Sequence, residues 1–541
     1  MERTAPAKVG HLFVLISYPC WRCFDDRRWI PDWVVNKPPK RSGSHFPPTS
    51  VPSQRRTTMS DSAAGLSFII VGASVSGLAT TISLKNSGHS VLVLEKDPQL
   101  GGAASGFNAC ARICPNGSKI LLDWGLLEAE TKAKAAPMPG FAFLKYNAGY
   151  SEGSEPDFLG ENRWNEDLLF ETRGGYMQFR HQDLMRILYD EAMRDSSSRV
   201  SVCFGAEVVN VDCDACEVTL SSGEVHTADA IIGADGPNGI VRRTLLEEEG
   251  ESHESDALTG MALYSAIIPK ALVYEHGLAP WFYEFDDIGS GIWVGPGRSA
   301  WIFPVGGEND LALTVYTPDS MQDGSWTEPA ETKLMDVIGK CDIRLKKLAS
   351  LAQDVTCVQI KNPYNLESWV SESGRVMVLG EAAHPSPPSG FHPYSIALED
   401  AAFIGKIFSH TRDPDRVPEF LSAFQEHREQ RCSRIREVDM EYVEAATCEG
   451  EMHDQRDAGM RANHAAGRNA MEGDFQQMLE DYSVIFGYSA SDDADEWWIN
   501  WGRYRPTKTE SGEEEQPRIN HMSFFSSIVS STTDETEYYE E

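Results

Sequence analysis

The chain has 541 residues, enough for two or three domains, and its 41% hydrophobic and 24% charged side chains are ordinary for a globular protein. Its 82 Asp and Glu outnumber 48 Lys and Arg, a net charge of −34 that repels phosphate backbones and anionic lipid and argues against a nucleic-acid partner. No apolar run is long enough to span a bilayer, so no transmembrane segment is expected, and a 10% aromatic content argues against a fully disordered chain.

The charge is unevenly spread. Residues 1–58 hold ten Lys or Arg against four Asp or Glu, a balance of +6 that leaves −40 on the remainder. This leader is rich in Pro, Arg and Trp and has no sustained periodicity. It reads as non-globular, with Met59 as the working start; the other reading is a targeting peptide, although Asp25, Asp26 and Asp32 are unusual in one. Eleven cysteines in so long a chain do not suggest a disulfide scaffold, and a reducing, cytoplasmic location is expected. The pairs Cys20/Cys23 and Cys213/Cys216 lie too far apart in unlike surroundings for zinc, so they read as plain thiols and no metal is expected.

Residues 66–72 (LSFIIVG) form a continuous apolar run, the pattern of a strand buried on both faces. Gly72, Ser74 and Gly77 punctuate the turn that follows; a helix is predicted to Gly88 and a second strand over 89–95, ending in Glu95. The physics of a dinucleotide site accounts for this spacing. Gly72 permits the tight turn, a small residue at 74 lets backbone amides reach a pyrophosphate, and Gly77 lets helix approach strand. The helix N-terminus faces the phosphates, and Glu95 can accept from a ribose hydroxyl. Ser74 is a mild departure from the usual glycine. This fingerprint alone does not separate FAD from NAD.

Further along, residues 228–232 read as a short strand leading into Gly233, Ala234, Asp235, Gly236 and, beyond them, Arg242. Residues 291–305 and 310–316 read as strands in a stretch rich in aromatics. Residues 375–379 form another strand, followed by Gly380, Glu381, His384 and Pro388, and then a helix over 394–408. Residues 419–452 are charged and helical in pattern, and the acidic stretch from 507 reads as disordered.

Taken together, these motifs resemble those of the class A flavoprotein monooxygenases, in particular the fungal, salicylate hydroxylase-like enzymes of secondary metabolism. The family's three FAD motifs, G-x-G-x-x-G, D-G and G-D, occur in order as residues 72–77, Asp235-Gly236 and Gly380-Glu381. Smaller echoes are Pro115-Asn116 before Gly125-Leu126, Arg180 before Asp183-Leu184, and Gly295-Pro296 before Phe303-Pro304. The resemblance covers about residues 66–430. It implies an α/β fold: a Rossmann-like FAD-binding domain of the para-hydroxybenzoate hydroxylase type, a β-sheet substrate domain and a helical C-terminal extension. The corresponding division is 59–255, with 126–172 partly substrate-facing, then 256–365 for the substrate domain and 366–430 for the return to the FAD domain. A helical region over 431–506 and the tail 507–541 complete it.

The resemblance further implies that FAD is the cofactor and NAD(P)H a transient co-substrate. O2 adds to the reduced flavin, and the hydroperoxide delivers one oxygen to an aromatic or polyketide-type small molecule. Cofactor contacts would fall on Gly72, Ser74, Gly77, Glu95, Arg180, Asp235, Gly236, Gly380 and Glu381. Arg180 stands one residue before the usual arginine, whose place is taken by His181. Arg242 and Tyr264 would hold the substrate's oxygen; the structural alternatives are an ion pair near Asp235 for Arg242 and sheet filling for Tyr264. His384 is expected to pack locally, and His392 is an alternative catalytic group. Phe391, His392 and Pro393 replace the family's G-Q-G, and Glu381 replaces its Asp. These departures keep open a same-fold oxidase, epoxidase or reductase, or a non-catalytic flavoprotein.

Overall fold

The computed structural model describes residues 65–102, 110–127, 129–132, 134–195, 199–251, 257–282, 290–307, 309–318, 330–362, 364–473 and 482–504. The leader, the start at Met59, the Cys20/Cys23 pair and the acidic tail lie outside them.

The strand Ser67–Val71 sits at the centre of a five-stranded parallel sheet, which explains its unbroken apolar run. The order is Val376–Val378, Ala230–Gly233, Ser67–Val71, Ser90–Glu95, Val200–Phe204. Asp229 accepts from both the amide and the hydroxyl of Ser67 at 2.7 Å, pinning the register of the pair it precedes. Two helices, Val75–Asn86 and Pro393–Phe408, pack on each other beside this sheet and are buried on nearly every side. Gly405 makes that approach possible, because a Cβ there would meet Ser83 Oγ at 2.5 Å.

A second sheet has seven strands in the order Thr356–Asn362, Ala257–Ile268, Asp310–Pro318, Arg298–Val305, Gly291–Gly295, Gly140–Lys145, Phe158–Arg163. All its pairs are antiparallel except Gly291–Gly295 with Gly140–Lys145. The stretch 291–305, expected as one strand, is a hairpin turning at Pro296 and Gly297, the latter at φ +64°. Successive side chains in a strand alternate faces, so this sheet separates two cores. Phe141, Phe143, Leu263, Trp301, Phe303 and Tyr316 join the core that contains the parallel sheet. Ala142, Leu144, Tyr264, Trp293, Ile302 and Val315 face the other way, against the helix Ile343–Ser350.

A small sheet, Cys110–Ile113 with Met177–Arg180 and Ala135–Pro137, abuts the inner face of the larger one. The charged pattern over 419–452 becomes one 31-residue helix, Val417–Thr447, followed after Gly450 (φ +62°) by Gly450–Ala465. The expected boundary between 430 and 431 therefore falls inside a continuous helix. Cys213 and Cys216 are buried free thiols, which burial raises to about 12 and about 11. Among the described residues no helix is long and apolar enough to cross a membrane. The described residues up to Trp498 form one compact unit; residues 499–504 belong to a second.

Candidate FAD and substrate site

The three glycine-containing turns converge on the first turn of Val75–Asn86. Gly72 adopts φ +102°, and a Cβ there would meet Ala234 O at 2.6 Å, so only glycine fits. Ser74 caps the helix: its hydroxyl accepts from Gly77 N at 3.2 Å and donates to Ala234 O at 2.9 Å. The serine that replaces a glycine is thus a tie between the first motif and the D-G segment. Gly380, at φ +59°, lies against Ser76, whose Oγ a Cβ would strike. Glu95 closes the cradle, accepting from Ala73 N at 2.7 Å and from Asp97 N at 2.9 Å.

Asp235 lies under the helix Ile240–Glu248 and accepts from Val241 N at 3.2 Å. Its carboxylate occupies the space a side chain at Gly239 would need, so glycine is required there. Burial outweighs its amide bonds and raises its pKa to about 6. Its Oδ1 is buried with no hydrogen-bond partner among the described residues. A buried acceptor of this kind is suited to a cofactor hydroxyl. Glu381 is accessible to solvent, and desolvation by its surroundings raises its pKa. The glycine cradle, the helix N-terminus and these acidic acceptors fit FAD.

The Gly380 turn is held from behind by a buried polar network. Asp400 Oδ2 accepts from Gly380 N at 3.0 Å and lies 2.7 Å from His384 Nε2; its Oδ1 accepts from Arg428 Nε at 2.9 Å. Burial opposes a charge on His384, but Cys432 and Asp400 beside it raise its pKa to about 10. Burial likewise opposes ionisation of Asp400, and His384 with Arg428 holds its pKa down. His384, Asp400 and Cys432 could group around a metal, but Arg428 already matches the carboxylate, so the cluster is an ion-pair network. His384 packs locally, as expected.

Arg180 ends the strand Met177–Arg180 and pairs with the buried Asp310 of the seven-stranded sheet. Its Nε has no hydrogen-bond partner among the described residues. Burial lowers the pKa of His181 to about 4, so that ring is neutral near pH 7 and cannot replace an arginine's charge.

Arg242 and Tyr264 are both buried among structural neighbours. Arg242 is buried and donates to Ala382 O at 2.8 Å and to Tyr364 O. It ties the D-G helix to the Gly380 turn. Tyr264 lies in the outer core, on the face of the sheet turned away from the FAD motifs. Its neighbour Leu263 faces inward, so parity sends Tyr264 outward.

The loop bearing Phe391, His392 and Pro393 is clamped by Asp439 of the long helix. That carboxylate accepts from Phe391 N at 2.9 Å and His392 N at 3.2 Å, and lies 2.8 Å from His392 Nδ1. Pro393 takes the first position of its helix, where no amide donor is needed. His392 is therefore a buried anchor of the loop. Phe391 instead faces the inner aromatics, 5.2 Å from Trp301 and 6.0 Å from Phe141 between ring centres.

One inner-face residue was missed entirely. Arg112, in the buried strand Cys110–Ile113, is 2% exposed and lies 4.8 Å from the ring centres of both Phe303 and Phe391. The available signal was a charge inside a short apolar stretch before Pro115.

Comparison with known proteins agrees with this geometry. The family model described as FAD binding domain matches residues 66–438. The FAD-dependent monooxygenase OpS4 of Beauveria bassiana (strain ARSEF 2860) is 24% identical over 372 residues, covering 68% of this chain and 83% of the relative. Hispidin-3-hydroxylase of Neonothopanus nambi is 25% identical over 395 residues, covering 68% and 86%. Among solved structures, a salicylate hydroxylase substrate complex aligns with a TM-score of 0.60 at 17% identity, over 80% of this chain and 98% of that one. CtdE in complex with FAD and a substrate aligns with a TM-score of 0.64 at 17% identity, over the same shares. The chain belongs to the FAD binding domain family and is an FAD-dependent monooxygenase.

Proposed function

We propose that the enzyme uses NAD(P)H and O2 to hydroxylate an aromatic or polyketide-type small molecule held against the inner face of the seven-stranded sheet. The observation that carries this reading is the continuity of two surfaces. The Gly380 turn leads directly into the loop 388–392, and that loop abuts Trp301, Phe303 and Tyr316. FAD, when bound, supplies hydride acceptance and dioxygen activation. The chain's own residues bind and enclose. Gly72, Ser74, Gly77, Glu95, Asp235, Gly236, Gly380 and Glu381 would hold the cofactor, with Arg180 reaching it through its open Nε. The aromatic side chains exclude water and offer flat apolar walls. Tyr316 donates to Pro388 O at 3.0 Å, steadying the loop. A cytoplasmic location fits the buried, unpaired thiols.

The test is the visible spectrum of the purified chain under anaerobic conditions. The flavin band should bleach on adding NADPH or NADH and return with air, with peroxide released when no substrate is present. A band that persists with both nucleotides would overturn the hydroxylase reading.

A further inference from the structure

Arg112 is a buried cation; the nearby Asp439 carboxylate is engaged by Phe391 N, His392 N and His392 Nδ1. Among the described residues no carboxylate lies within ion-pair reach of it. Its Nη2 donates to Ser389 O, to Ser389 Oγ at 3.1 Å and to Gly390 O at 3.1 Å. Its Nε and Nη1 are buried with no partner among the described residues. Rings cover the guanidinium: Phe303 and Phe391 at 4.8 Å and Trp301 at 5.5 Å from its carbon. Carbonyl dipoles and ring faces offset part of the charge, but a buried, partly unsatisfied guanidinium remains costly.

Its neighbours share the same deficit. Gln178 stands opposite Arg112 in the ladder, hence on the same face of the small sheet, and its Nε2 is buried without a partner. Thr314 stands opposite Trp301 in the large sheet, and its Oγ1 is likewise unpartnered. Two of these three groups can only donate. Arg112 is packed against aromatic rings, and Thr314 stands opposite one of them, Trp301.

We propose that Arg112 is the specificity-determining residue of this site. It selects a flat aromatic ligand bearing an anionic oxygen, which the unpartnered Nε and Nη1 receive in paired, charge-assisted hydrogen bonds. The inference rests on the hydroxylase reading for the role of the ligand as substrate, but the binding it predicts does not require turnover.

The test uses the FAD-loaded full chain and matched probes: benzoate against benzamide, and 1-naphthoate against 1-naphthamide. Binding is read from perturbation of the flavin spectrum. A phenol arm uses 4-nitrophenol above and below its own ionisation. At least one acid should bind roughly 10- to 100-fold more tightly than its amide, the range of a charged hydrogen bond. Preference for ionised 4-nitrophenol over both carboxylates would identify the anionic oxygen as a phenolate. Arg112→Gln should erase the preference while retaining FAD, and Arg112→Lys should restore part of it. No preference in the unaltered enzyme for any anion over its neutral form would overturn the proposal, whether or not the variants fold. So would an Arg112→Gln enzyme that keeps the preference, or one that changes only the flavin reduction potential. Bleaching by NAD(P)H, scored separately, reports on the hydroxylase reading alone.

Discussion

Asp235 is held in a site that disfavours its charge, and this makes its replacement informative. In the FAD-free protein its pKa stands at about 6 against an ordinary 3.8, chiefly because it is buried. A carboxyl group whose pKa is raised by folding favours the folded state fully below the unfolded value. That contribution is lost as pH rises through the folded value. Above about pH 7 the ionised side chain therefore weakens the cofactor-free fold by roughly 3 kcal/mol, and by about half that at pH 5. Asp235→Asn keeps the shape and can still accept from Val241 N, but it cannot ionise. Denaturant unfolding of FAD-free protein should show the variant gaining on the parent as pH rises from 5 to 8, by on the order of 1–2 kcal/mol across that span. The same variant should bind FAD at least roughly 10-fold more weakly, because an acceptor for a cofactor hydroxyl is impaired. Parallel pH profiles for the two proteins would refute the claim that Asp235 carries a desolvated charge. Unchanged FAD affinity would refute its place in the cofactor site.

Three other substitutions test the ties described above. Ser74→Gly restores the family's glycine but removes the bonds to Ala234 and Gly77; it should lower stability by about 1 kcal/mol while FAD still binds, measured by denaturation of the holoenzyme. Asp439→Ala frees three polar groups of the loop 391–392. It should cost about 2–4 kcal/mol and lower coupling of NAD(P)H oxidation to product, read as increased peroxide release. Tyr264→Phe should leave kcat/KM within about twofold and affect only stability, by up to about 1.5 kcal/mol, since its ring lies behind the sheet. A large fall in kcat with unchanged stability would return Tyr264 to the substrate site.

The cofactor half of the molecule was largely legible in the sequence because its chemistry is written in local backbone demands. Gly72 and Gly380 are forced by positive φ and close approach, the Ser67–Val71 run by burial on both faces, and Glu95 by its place at a strand end. Such constraints act within a few residues, so spacing records them. The substrate half is set by pairing over distance. Whether residue 264 faces the flavin or the outer core depends on one unit of strand parity, and the strand Ala257–Ile268 carries an irregularity between Leu258 and Met261. Gly260, at φ +77°, was the available warning, since a glycine inside a strand often marks a bulge. Arg242 misled for the opposite reason. A motif position suggested a ligand, but Arg242 donates to Tyr364 O and Ala382 O, backbone carbonyls that no side-chain pattern announces.

The same logic explains why Arg112 went unread and why it matters. The helix Val417–Thr447 supplies Arg428 for Asp400 and Asp439 for the 391–392 loop, so the charges around the Gly380 turn are matched from within the chain. Arg180 is matched by Asp310, and Arg431 by Glu399. Arg112 stands apart from these pairs: it is nearly inaccessible, ringed by aromatics, and bonded only to uncharged oxygens. Two nitrogens of this guanidinium have no hydrogen-bond partner among the described residues, and a ligand's anionic oxygen would supply what they lack. The aromatic walls say that the charge arrives on a flat ring.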